Sequence, residues 1–360
     1  MELTAIISRN LPFVLYRLPG ADETTLMVQK NKNVRRISIE QIEAENGFVI
    51  VPFEGGGKNV RLLVPDLIFK SSSEDILLSD FLKDIPYDTP EFPKIEDKNY
   101  TREEYMETVQ YILTEMENGK IDKVVLSRVI TTPVSEEIDL YTFFDRLQKK
   151  YTSAFVYMFY LPGDGIWAGA TPETLLKKSS LFLETMALAG TKKLTRNGNI
   201  NWGDKEIREQ QFVTYYIDDI LKTLKVNNYE KSKAETIKAG NLAHICTHFR
   251  VKENALKGHV GDFIRMLHPT PAVCGLPKES ALKYIRQKEK HQRSFYTGFI
   301  GPWGIDSRKE LFVNLRCGRF SPGFLEVYVG GGLTIDSNPE KEWQETCDKS
   351  RTLLSVLEKM

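Results

Sequence analysis

Apolar residues recur at helical spacing in four segments of the chain. At the start of the first, Thr101 and Glu104 stand three positions apart, the spacing of a capping box that satisfies the free N–H groups of a helix start. At the start of the last, Ser337 or Asn338 precedes a proline, which is favoured in the first helical turn. The pattern predicts helices over residues 101–119, from Asp139 onward, over 204–224 and over 339–358.

Short runs that are β-branched or alternate apolar with polar residues predict strands between these helices. The predicted strands cover residues 48–53, 60–64, 123–131, 154–160, 165–169, 181–188, 243–250, 295–300, 311–316 and 325–329. Because helices and strands do not alternate strictly, the order disfavours a doubly wound parallel fold. We expect an α+β fold in which large mixed or antiparallel sheets pack together, with helices on the outside.

One shift in composition divides the chain. Residues 86–100 hold three prolines and several acidic residues, which is typical of a linker. The sequence therefore predicts an N-terminal β-rich region over residues 1–90 and a longer region over 101–360 that carries the candidate catalytic residues. Both regions are expected to belong to the same fold.

Composition excludes several classes of function. The chain contains 49 Lys plus Arg and 49 Asp plus Glu, so it lacks the basic field of a nucleic-acid-binding or polybasic membrane protein. No apolar run approaches the ~18 residues of a membrane span, and the N-terminus lacks a signal-peptide pattern. The four cysteines form no CxxC pair, which favours a reducing compartment. We expect a cytoplasmic globular protein with no nucleic-acid or membrane partner.

A carboxylate lies on the apolar side of the predicted helix over 204–224. Glu209 precedes Phe212 and Val213 by three and four positions, so it shares their face. An ionised carboxylate that faces the core needs a cation or a metal as partner. A glutamate at the solvated end of the apolar stripe fits the same pattern.

The C-terminal helix repeats this arrangement. Glu342, Glu345 and Lys349 lie at positions i, i+3 and i+7, on the face that Leu353 continues into apolar sequence. Carboxylates from two different helices, with room for water and substrate oxygens, suit Mg²⁺. A solvated, salt-bridged helix face is the alternative interpretation.

Three glycines, Gly330 to Gly332, follow the last predicted strand. Glycines at a strand end let the backbone approach a ligand closely, and exposed N–H groups there can hold an anion. A bulge or a tight bend is the alternative explanation. Nearby in sequence, Arg316 supplies a bidentate donor for a carboxylate.

Two other motifs carry less weight. The run Gly55–Lys58 lacks the Ser or Thr and the full spacing of a phosphate-binding loop. His244, Cys246 and His248 alternate, so they share one face of a predicted strand and could bind zinc. No second cluster in the sequence matches them.

A series of short segments runs in order from about residue 100 to residue 357. They are KVVLSR (123–128), GATPETLL (169–176), LAGT (188–191), DKEIREQ (204–210), HICT (244–247), HPTPAVCGLP (268–277), FYTGFIG (295–301), NLRC (314–317) and GGGLTIDSNPEKEWQETCDK (330–349). Together they resemble the chorismate-utilising enzymes, the family of isochorismate, anthranilate, aminodeoxychorismate and salicylate synthases. The N-terminal part is only loosely similar to that family.

The resemblance implies a Mg²⁺-dependent enzyme that acts on chorismate, a cyclohexadiene dicarboxylate. Lys123 would act as the base toward a water molecule that attacks C2, and Glu173 would protonate the hydroxyl group that leaves C4. Such a lysine must be neutral at pH 7, which requires burial or nearby positive charge. Glu209 and Glu345 would hold the metal, with Glu342 in support.

The resemblance also implies a set of substrate contacts. His244 would position the ring of chorismate. The enolpyruvyl carboxylate would be held by basic side chains, by backbone amides and by a tyrosine: Arg316, Lys349, the amides near Gly330 and Gly332, and Tyr328.

Three positions favour the isochorismate branch of the family. Its members carry a lysine at the position of Lys123, and the segment HPTPA, ending in Ala272, is similar to theirs. Ala189 stands where aminodeoxychorismate synthases carry a lysine nucleophile. Gln292 departs from the family, in which an acid is common at that point, so no role is assigned to it.

The expected product is therefore isochorismate, for menaquinone or siderophore biosynthesis, formed by a monomer without a glutamine amidotransferase partner. One alternative is a salicylate synthase, which also eliminates pyruvate from isochorismate. A second alternative, from another class, is a chorismate-binding protein without catalytic activity. The presence of Lys123, Glu173, Glu209 and Glu345 argues against that second alternative.

Overall fold

The computed structural model describes residues 3–72, 78–95, 98–194, 200–239 and 242–360. The helices within those ranges are α1 (Leu3–Ile7), α2 (Leu78–Leu82), α3 (Arg102–Glu117), α4 (Leu140–Lys150), α5 (Asp204–Thr223), α6 (Val260–Leu267), α7 (Lys278–Lys288) and α8 (Pro339–Leu357). Short 3₁₀ turns cover Glu40–Ala44 and Glu253–Leu256. None of these described helices combines the length and the apolarity that crossing a bilayer requires.

Nineteen strands lie in the described part of the chain. They are β1 (Phe13–Arg17), β2 (Thr24–Val28), β3 (Arg35–Ile37), β4 (Gly47–Val51), β5 (Val60–Leu63), β6 (Leu67–Lys70), β7 (Lys123–Pro133), β8 (Phe155–Leu161), β9 (Gly165–Thr171), β10 (Thr174–Ser179), β11 (Phe182–Lys193), β12 (Tyr229–Lys231), β13 (Glu235–Ala239), β14 (Leu242–Lys252), β15 (Gly275–Leu276), β16 (Phe299–Ile305), β17 (Arg308–Val313), β18 (Cys317–Ser321) and β19 (Phe324–Leu333).

These strands form two large sheets. The first sheet has the order β15-β7-β19-β18-β9-β8-β1-β2-β6, and the second has the order β12-β14-β11-β10-β17-β16-β4-β5-β3 with β13 also paired to β14. Every pairing between the described strands is antiparallel. Strands from the first 90 residues join both sheets, since β1 pairs with β8 and β4 pairs with β16.

The two sheets pack face to face around an aromatic core. Phe155 of the first sheet stacks on Phe312 of the second with ring centroids 4.2 Å apart, and the residues around them come from both sheets. On the outer faces, α1, α4 and α8 cover the first sheet, while α5 and α6 cover the second. The α+β fold expected from the sequence is therefore confirmed.

Several helix boundaries agree with the local signals in the sequence. The Thr101 side chain accepts from the Glu104 N–H at 3.2 Å, and the Glu104 carboxylate accepts from the Thr101 N–H at 2.8 Å, which completes the capping box. Asp139 caps α4 through two backbone N–H groups. Asn338, one of the two predicted caps, accepts from the Lys341 N–H at the start of α8.

Two predicted strands are displaced from their observed positions. Residues 295–298, predicted as the start of a strand, form a turn before β16, and the strand predicted to end at residue 316 ends at Val313. Thr297 and Arg316 have φ angles of 60° and 51°, which a strand does not allow. The apolar residues at these positions indicated burial correctly, but burial does not determine backbone conformation.

A buried ion pair in the loop after α7 ties that loop to β7 and to the loop before β15. Arg293 donates to both carboxylate oxygens of Glu289 at 2.6 and 2.9 Å, and the two side chains are 2% and 1% exposed. Arg293 also donates to the carbonyl oxygens of Val125 and Val273, at 2.6 and 2.7 Å. The pair thereby fixes β7 against the loop that precedes β15.

We expect Arg293→Met to lower the free energy of unfolding by about 3–5 kcal/mol, because it leaves the Glu289 carboxylate buried without its cation. Urea unfolding followed by circular dichroism measures the change. The matched control is Arg286→Met, since Arg286 pairs with Glu54 where both side chains are more than half exposed, and its cost should stay below about 1 kcal/mol. Equal losses in the free energy of unfolding for the two variants would contradict a stabilising role of the buried pair Arg293–Glu289.

Candidate active site

A cavity lies between the two sheets, near the starts of α5 and α8. Its walls come from β19 of the first sheet, from β11 and β14 of the second, and from the two helices. Of the twelve residues that the sequence assigned to catalysis, metal binding or substrate binding, ten line this cavity: Glu173, Glu209, His244, Ala272, Arg316, Tyr328, Gly330, Gly332, Glu345 and Lys349. Of the other two, Lys123 is buried beside it, and Glu342 lines an adjoining cleft.

The three glycines are part of a paired strand. β19 continues through them to Leu333, with Gly330 opposite Ser127 and Gly332 opposite Val125 of β7. The prediction that the strand ends before the glycines, at Val329, is therefore wrong. Pairing with β18 on the other side stops at Tyr328, so the glycine segment has one edge without a strand.

The backbone groups of Gly330 and Gly332 point toward that free edge. The N–H groups of Ser127 and Val125, opposite them, donate elsewhere than to β19. In an antiparallel ladder the N–H and C=O of one residue point to the same side, so both glycines direct these groups away from β7. The Gly330 carbonyl accepts from the Lys349 ammonium there at 2.8 Å. The amides of both glycines therefore face the cavity.

Glycine is required in this segment because carboxylates lie against both faces of the strand. A Cβ on Gly332 would lie 2.9 Å from Glu209 Oε2, and a Cβ on Gly331 would lie 3.0 Å from Glu342 Oε2. Successive side chains of a strand point to opposite faces. Glu209 thus covers one face of the strand and Glu342 covers the other, and any larger residue would push the two carboxylates outward.

Two helices from opposite layers deliver these carboxylates. α5 packs its apolar face on the second sheet and α8 packs on the first, and their first turns meet at the free edge of β19. The ammonium of Lys205 lies there, 3.4 Å from Glu209 Oε1, 2.5 Å from Glu342 Oε1 and 3.9 Å from Glu345 Oε2. Lys205 was not singled out from the sequence, although its i,i+4 spacing to Glu209 was a signal for it.

The carboxylate cluster fits a divalent cation in its donor type. Glu342 is 1% exposed and its Oε2 has no hydrogen-bond partner in the described structure, so one buried carboxylate oxygen is available as a ligand. Oxygen atoms of this kind are what Mg²⁺ prefers. No three acidic, histidine or cysteine side chains of the described residues are already arranged to hold a metal. In this cluster the ammonium of Lys205 lies between the carboxylates of Glu209, Glu342 and Glu345.

Burial and charge set the protonation of the cluster. Burial raises the pKa of Glu342 to about 7 despite Lys205, and it also raises the pKa of Glu209. For Glu345 burial acts in the same direction, but Lys349 and Lys205 outweigh it and lower its pKa. Lys349 donates to Glu345 at 2.6 Å, so Glu345 is the most strongly ionised of the three.

The proposed base and acid both have shifted pKa values. Lys123 is 1% exposed, and burial lowers the pKa of its ammonium against the attraction of Glu209. Burial raises the pKa of Glu173 to about 8, although Lys123 and Arg316 act in the opposite direction. At neutral pH Glu173 is therefore protonated and can donate a proton, while the lysine is moved toward its neutral form.

Arg316 and His244 form a fixed pair in the wall of the cavity. Arg316 has a φ of 51°, a left-handed conformation that is uncommon outside glycine and that occurs at functional sites. Its Nη2 lies 3.4 Å from His244 Nε2, and His244 Nδ1 lies 3.2 Å from the Gly190 carbonyl. Burial and Arg316 lower the pKa of His244 to about 3. The neutral imidazole therefore accepts from Arg316 and donates to Gly190.

Other parts of the wall are aromatic or small. Tyr328 stacks on Trp167 and on Tyr296, with ring centroids 5.0 and 5.6 Å apart. Ala272 lines the cavity from the loop between α6 and β15, and Tyr296 lines it from the turn that was predicted to be a strand. Tyr296 was missed because only the tertiary fold brings that turn to the cavity.

The sequence of the chain matches a known protein family. The sequence profile of the family described as Chorismate binding enzyme matches residues 64–358. The chain belongs to this family. The family resemblance inferred from the sequence segments is therefore confirmed.

The chain is similar in sequence to two isochorismate synthases and in fold to a third. The chain is 27% identical over 324 residues to the vibriobactin-specific isochorismate synthase of Vibrio cholerae serotype O1, covering 86% of this chain and 78% of that protein. It is 29% identical over 245 residues to isochorismate synthase EntC of Escherichia coli K12, covering 66% of this chain and 62% of EntC. The solved structure of MenF, the menaquinone-specific isochorismate synthase from Escherichia coli, has a TM-score of 0.77 at 19% identity and covers 99% of this chain and 91% of MenF.

We expect Gly332→Ala to lower kcat/KM by ~10–100-fold, because a displacement of about 1 Å among the side chains of an active site can cost ~10²-fold in rate. The new methyl group would displace Glu209 Oε2 and press on Lys123 Cε, 3.3 Å from the added Cβ. The control is Gly56→Ala, where a Cβ meets nothing within 4 Å. Steady-state kinetics, with circular dichroism to verify the fold, measure the effect. Full activity of the Gly332 variant would contradict the close approach of Glu209 and Lys123 to this glycine.

Proposed function

We propose that this chain is an isochorismate synthase, an isomerase that converts chorismate reversibly to isochorismate. The reaction adds water at C2 and removes the hydroxyl group from C4, so it needs one group that takes a proton and another that gives one. The observation that carries the proposal is the presence of both beside one buried cavity. Burial moves Lys123 toward its neutral form and keeps Glu173 protonated at pH 7.

The family and the wall residues support this branch. The relatives described above are themselves isochorismate synthases, although the chain spans only 62% of EntC. Ala189 lines the cavity at the position where aminodeoxychorismate synthases carry a lysine nucleophile. Without that nucleophile, water is the group that Lys123 can activate.

We propose the following chemical steps for these side chains. Lys123 takes a proton from a water molecule as its oxygen bonds to C2 of chorismate, and Glu173 gives its proton to the C4 oxygen, which leaves as water. The double bonds of the ring shift between the two carbons. Arg316, Lys349 and the amides of Gly330 and Gly332 supply donors for the enolpyruvyl carboxylate, and each of these residues lines the cavity.

We infer that the reaction requires Mg²⁺, held by Glu209 and Glu345 with Glu342 in support. The three carboxylates of the site are matched by three cations: Lys205, Lys349 and Arg316. A substrate with two carboxylates would therefore bring two unbalanced negative charges into a buried space, which is strongly unfavourable. A divalent cation held by Glu209 and Glu345 would supply the missing positive charge.

The setting of the enzyme is also a proposal. The four cysteines are free thiols, which supports a reducing compartment such as the cytoplasm. We propose a monomer that acts without an amidotransferase, because water rather than ammonia is the attacking molecule. The product would serve menaquinone or siderophore biosynthesis, and both kinds of isochorismate synthase occur among the relatives.

The decisive experiment incubates the purified protein with chorismate and Mg²⁺ and identifies the products by chromatography and fluorescence. We expect isochorismate, formed reversibly, with little salicylate near neutral pH and no turnover after chelation of the metal. Salicylate and pyruvate as dominant products would assign the chain to the salicylate synthases. Unchanged chorismate would favour a binding protein without activity.

The roles of the proton donor and acceptor are tested by Lys123→Ala and Glu173→Gln. Each variant should lose ~10²–10⁴-fold in kcat, the usual contribution of a general acid or base. Chorismate affinity should change much less, because other residues hold its carboxylates. Lys120→Ala, at an exposed lysine just before β7, is the control and should retain full activity. A Lys123→Ala variant that keeps more than about a tenth of the activity would show that another group is the base.

The pH dependence of kcat/KM should be bell-shaped, because kcat/KM reports the groups of the free enzyme. Activity should fall above pH 8 as Glu173, with its pKa of about 8, loses its proton. It should fall on the acidic side as Lys123 gains a proton below its lowered pKa. The residual activity of Glu173→Gln should no longer fall above pH 8. An unchanged fall in activity would show that another group causes it.

A further inference from the structure

Lys205 belongs to the carboxylate cluster, yet the reaction proposed above uses it in no step. Its ammonium lies within 4 Å of Glu209, Glu342 and Glu345, and its side chain is 17% exposed. These carboxylates come from two helices and would repel one another at such short range. Among the described ion pairs, Lys205 is the cation whose ammonium lies within 4 Å of all three carboxylates.

The cluster also separates two spaces. Glu209 lines the buried cavity, Lys205 and Glu342 line an open cleft on the outside, and Glu345 lines both. The walls of the outer cleft carry more acidic than basic side chains: Asp204, Glu206, Asp336, Glu342, Glu345 and Asp348 against Lys192, Lys205 and Lys341. A cation that approaches from solvent through this cleft meets the ammonium of Lys205 before it reaches Glu209.

We propose that Lys205 is an internal competitor of the divalent cation, which holds the three carboxylates together until the metal displaces it. The proposal rests on the proposed Mg²⁺ site. When the metal binds, the Lys205 ammonium leaves Glu209 and Glu345 and turns toward the outer cleft. Lys205 is thus a positioning residue that keeps the metal site assembled and determines how tightly it binds a cation.

The physical reason is that the two cations need the same oxygens at different distances. Mg²⁺ binds oxygen ligands at about 2.0–2.1 Å, whereas Glu209 and Glu345 lie 3.4 and 3.9 Å from the ammonium nitrogen. A metal drawn that close to both carboxylates leaves no room for a second positive charge between them. Every ion that binds must therefore first break the contacts of Lys205, which weakens its affinity.

The role of Lys205 in the free protein follows from the same contacts. Without the ammonium, the buried carboxylates of Glu209 and Glu342 and the partly buried carboxylate of Glu345 would face one another, and breaking a buried ion pair is strongly destabilising. The glycine segment of β19 leaves space for the carboxylates but provides no charge to hold them. Removing Lys205 should therefore make the fold depend on the metal for stability.

The test is titration calorimetry of Mg²⁺ into the full chain at pH 8, without chorismate. We expect Lys205→Met to bind Mg²⁺ about 10-fold more tightly than the native chain, the size of effect that a close charge pair has on binding. Lys205→Arg keeps the cation and should not show the gain. Lys341→Met removes an equal charge from an exposed position of the same cleft, and it should change the affinity by no more than about 5-fold.

A second measurement serves if the methionine variant folds poorly. Lys205→Gln can still donate to Glu342, and its melting temperature should be lower than that of the native chain without metal. Added Mg²⁺ should raise that temperature more than it does for the native chain, because a ligand that binds the folded state stabilises it in proportion to its affinity. Neither readout depends on turnover.

The outcomes separate this proposal from the proposed function. Equal or weaker Mg²⁺ binding by Lys205→Met, with normal binding by the native chain, would overturn the competition and leave the metal site standing. A gain of equal size in Lys341→Met would also overturn it, since the charge of the cleft alone would then explain the effect. No Mg²⁺ binding by any of the proteins would overturn both the competitor and the proposed metal site.

Discussion

The site depends on one interaction, the contact of the Lys205 ammonium with three carboxylates at the free edge of β19. Glu209 comes from a helix on the second sheet, and Glu342 and Glu345 come from a helix on the first. The N-terminal parts of these two helices therefore meet through opposite charges. Because charges removed from water require partners, this contact holds the N-terminal parts of the two helices beside the strand between them.

The same burial explains the chemistry of the neighbouring cavity. Removing a group from water disfavours its charged form, which raises the pKa of a carboxylic acid and lowers that of an ammonium. The pKa values of Glu173 and Lys123 shift in these opposite directions, Glu173 in the wall of the cavity and Lys123 beside it. A single physical cause, burial, thus raises the pKa of the Glu173 carboxyl and lowers the pKa of the Lys123 ammonium. Tyr296 and Tyr328 of the aromatic core form part of the wall of this cavity.

The glycine strand connects these two features. Gly331 and Gly332 leave space for carboxylates on both faces, and Gly330 and Gly332 direct their backbone groups into the cavity. Side chains at Gly331 and Gly332 would collide with these carboxylates. The segment thus combines the regular pairing of a sheet with the close approach that an anionic substrate requires.

The sequence by itself determined the helices with clear caps, most of the strands and the α+β class, because these depend on residues within a few positions of one another. It also indicated Glu209, Glu345 and Lys349 through their helical spacing, and it pointed to the family through ordered segments. Only the tertiary structure decided the turn at Thr297, the paired glycines of β19 and the place of Lys205. Each of these depends on groups far apart in the chain, such as Asn314 for the turn and the second helix for Lys205, and local periodicity carries no information about such contacts.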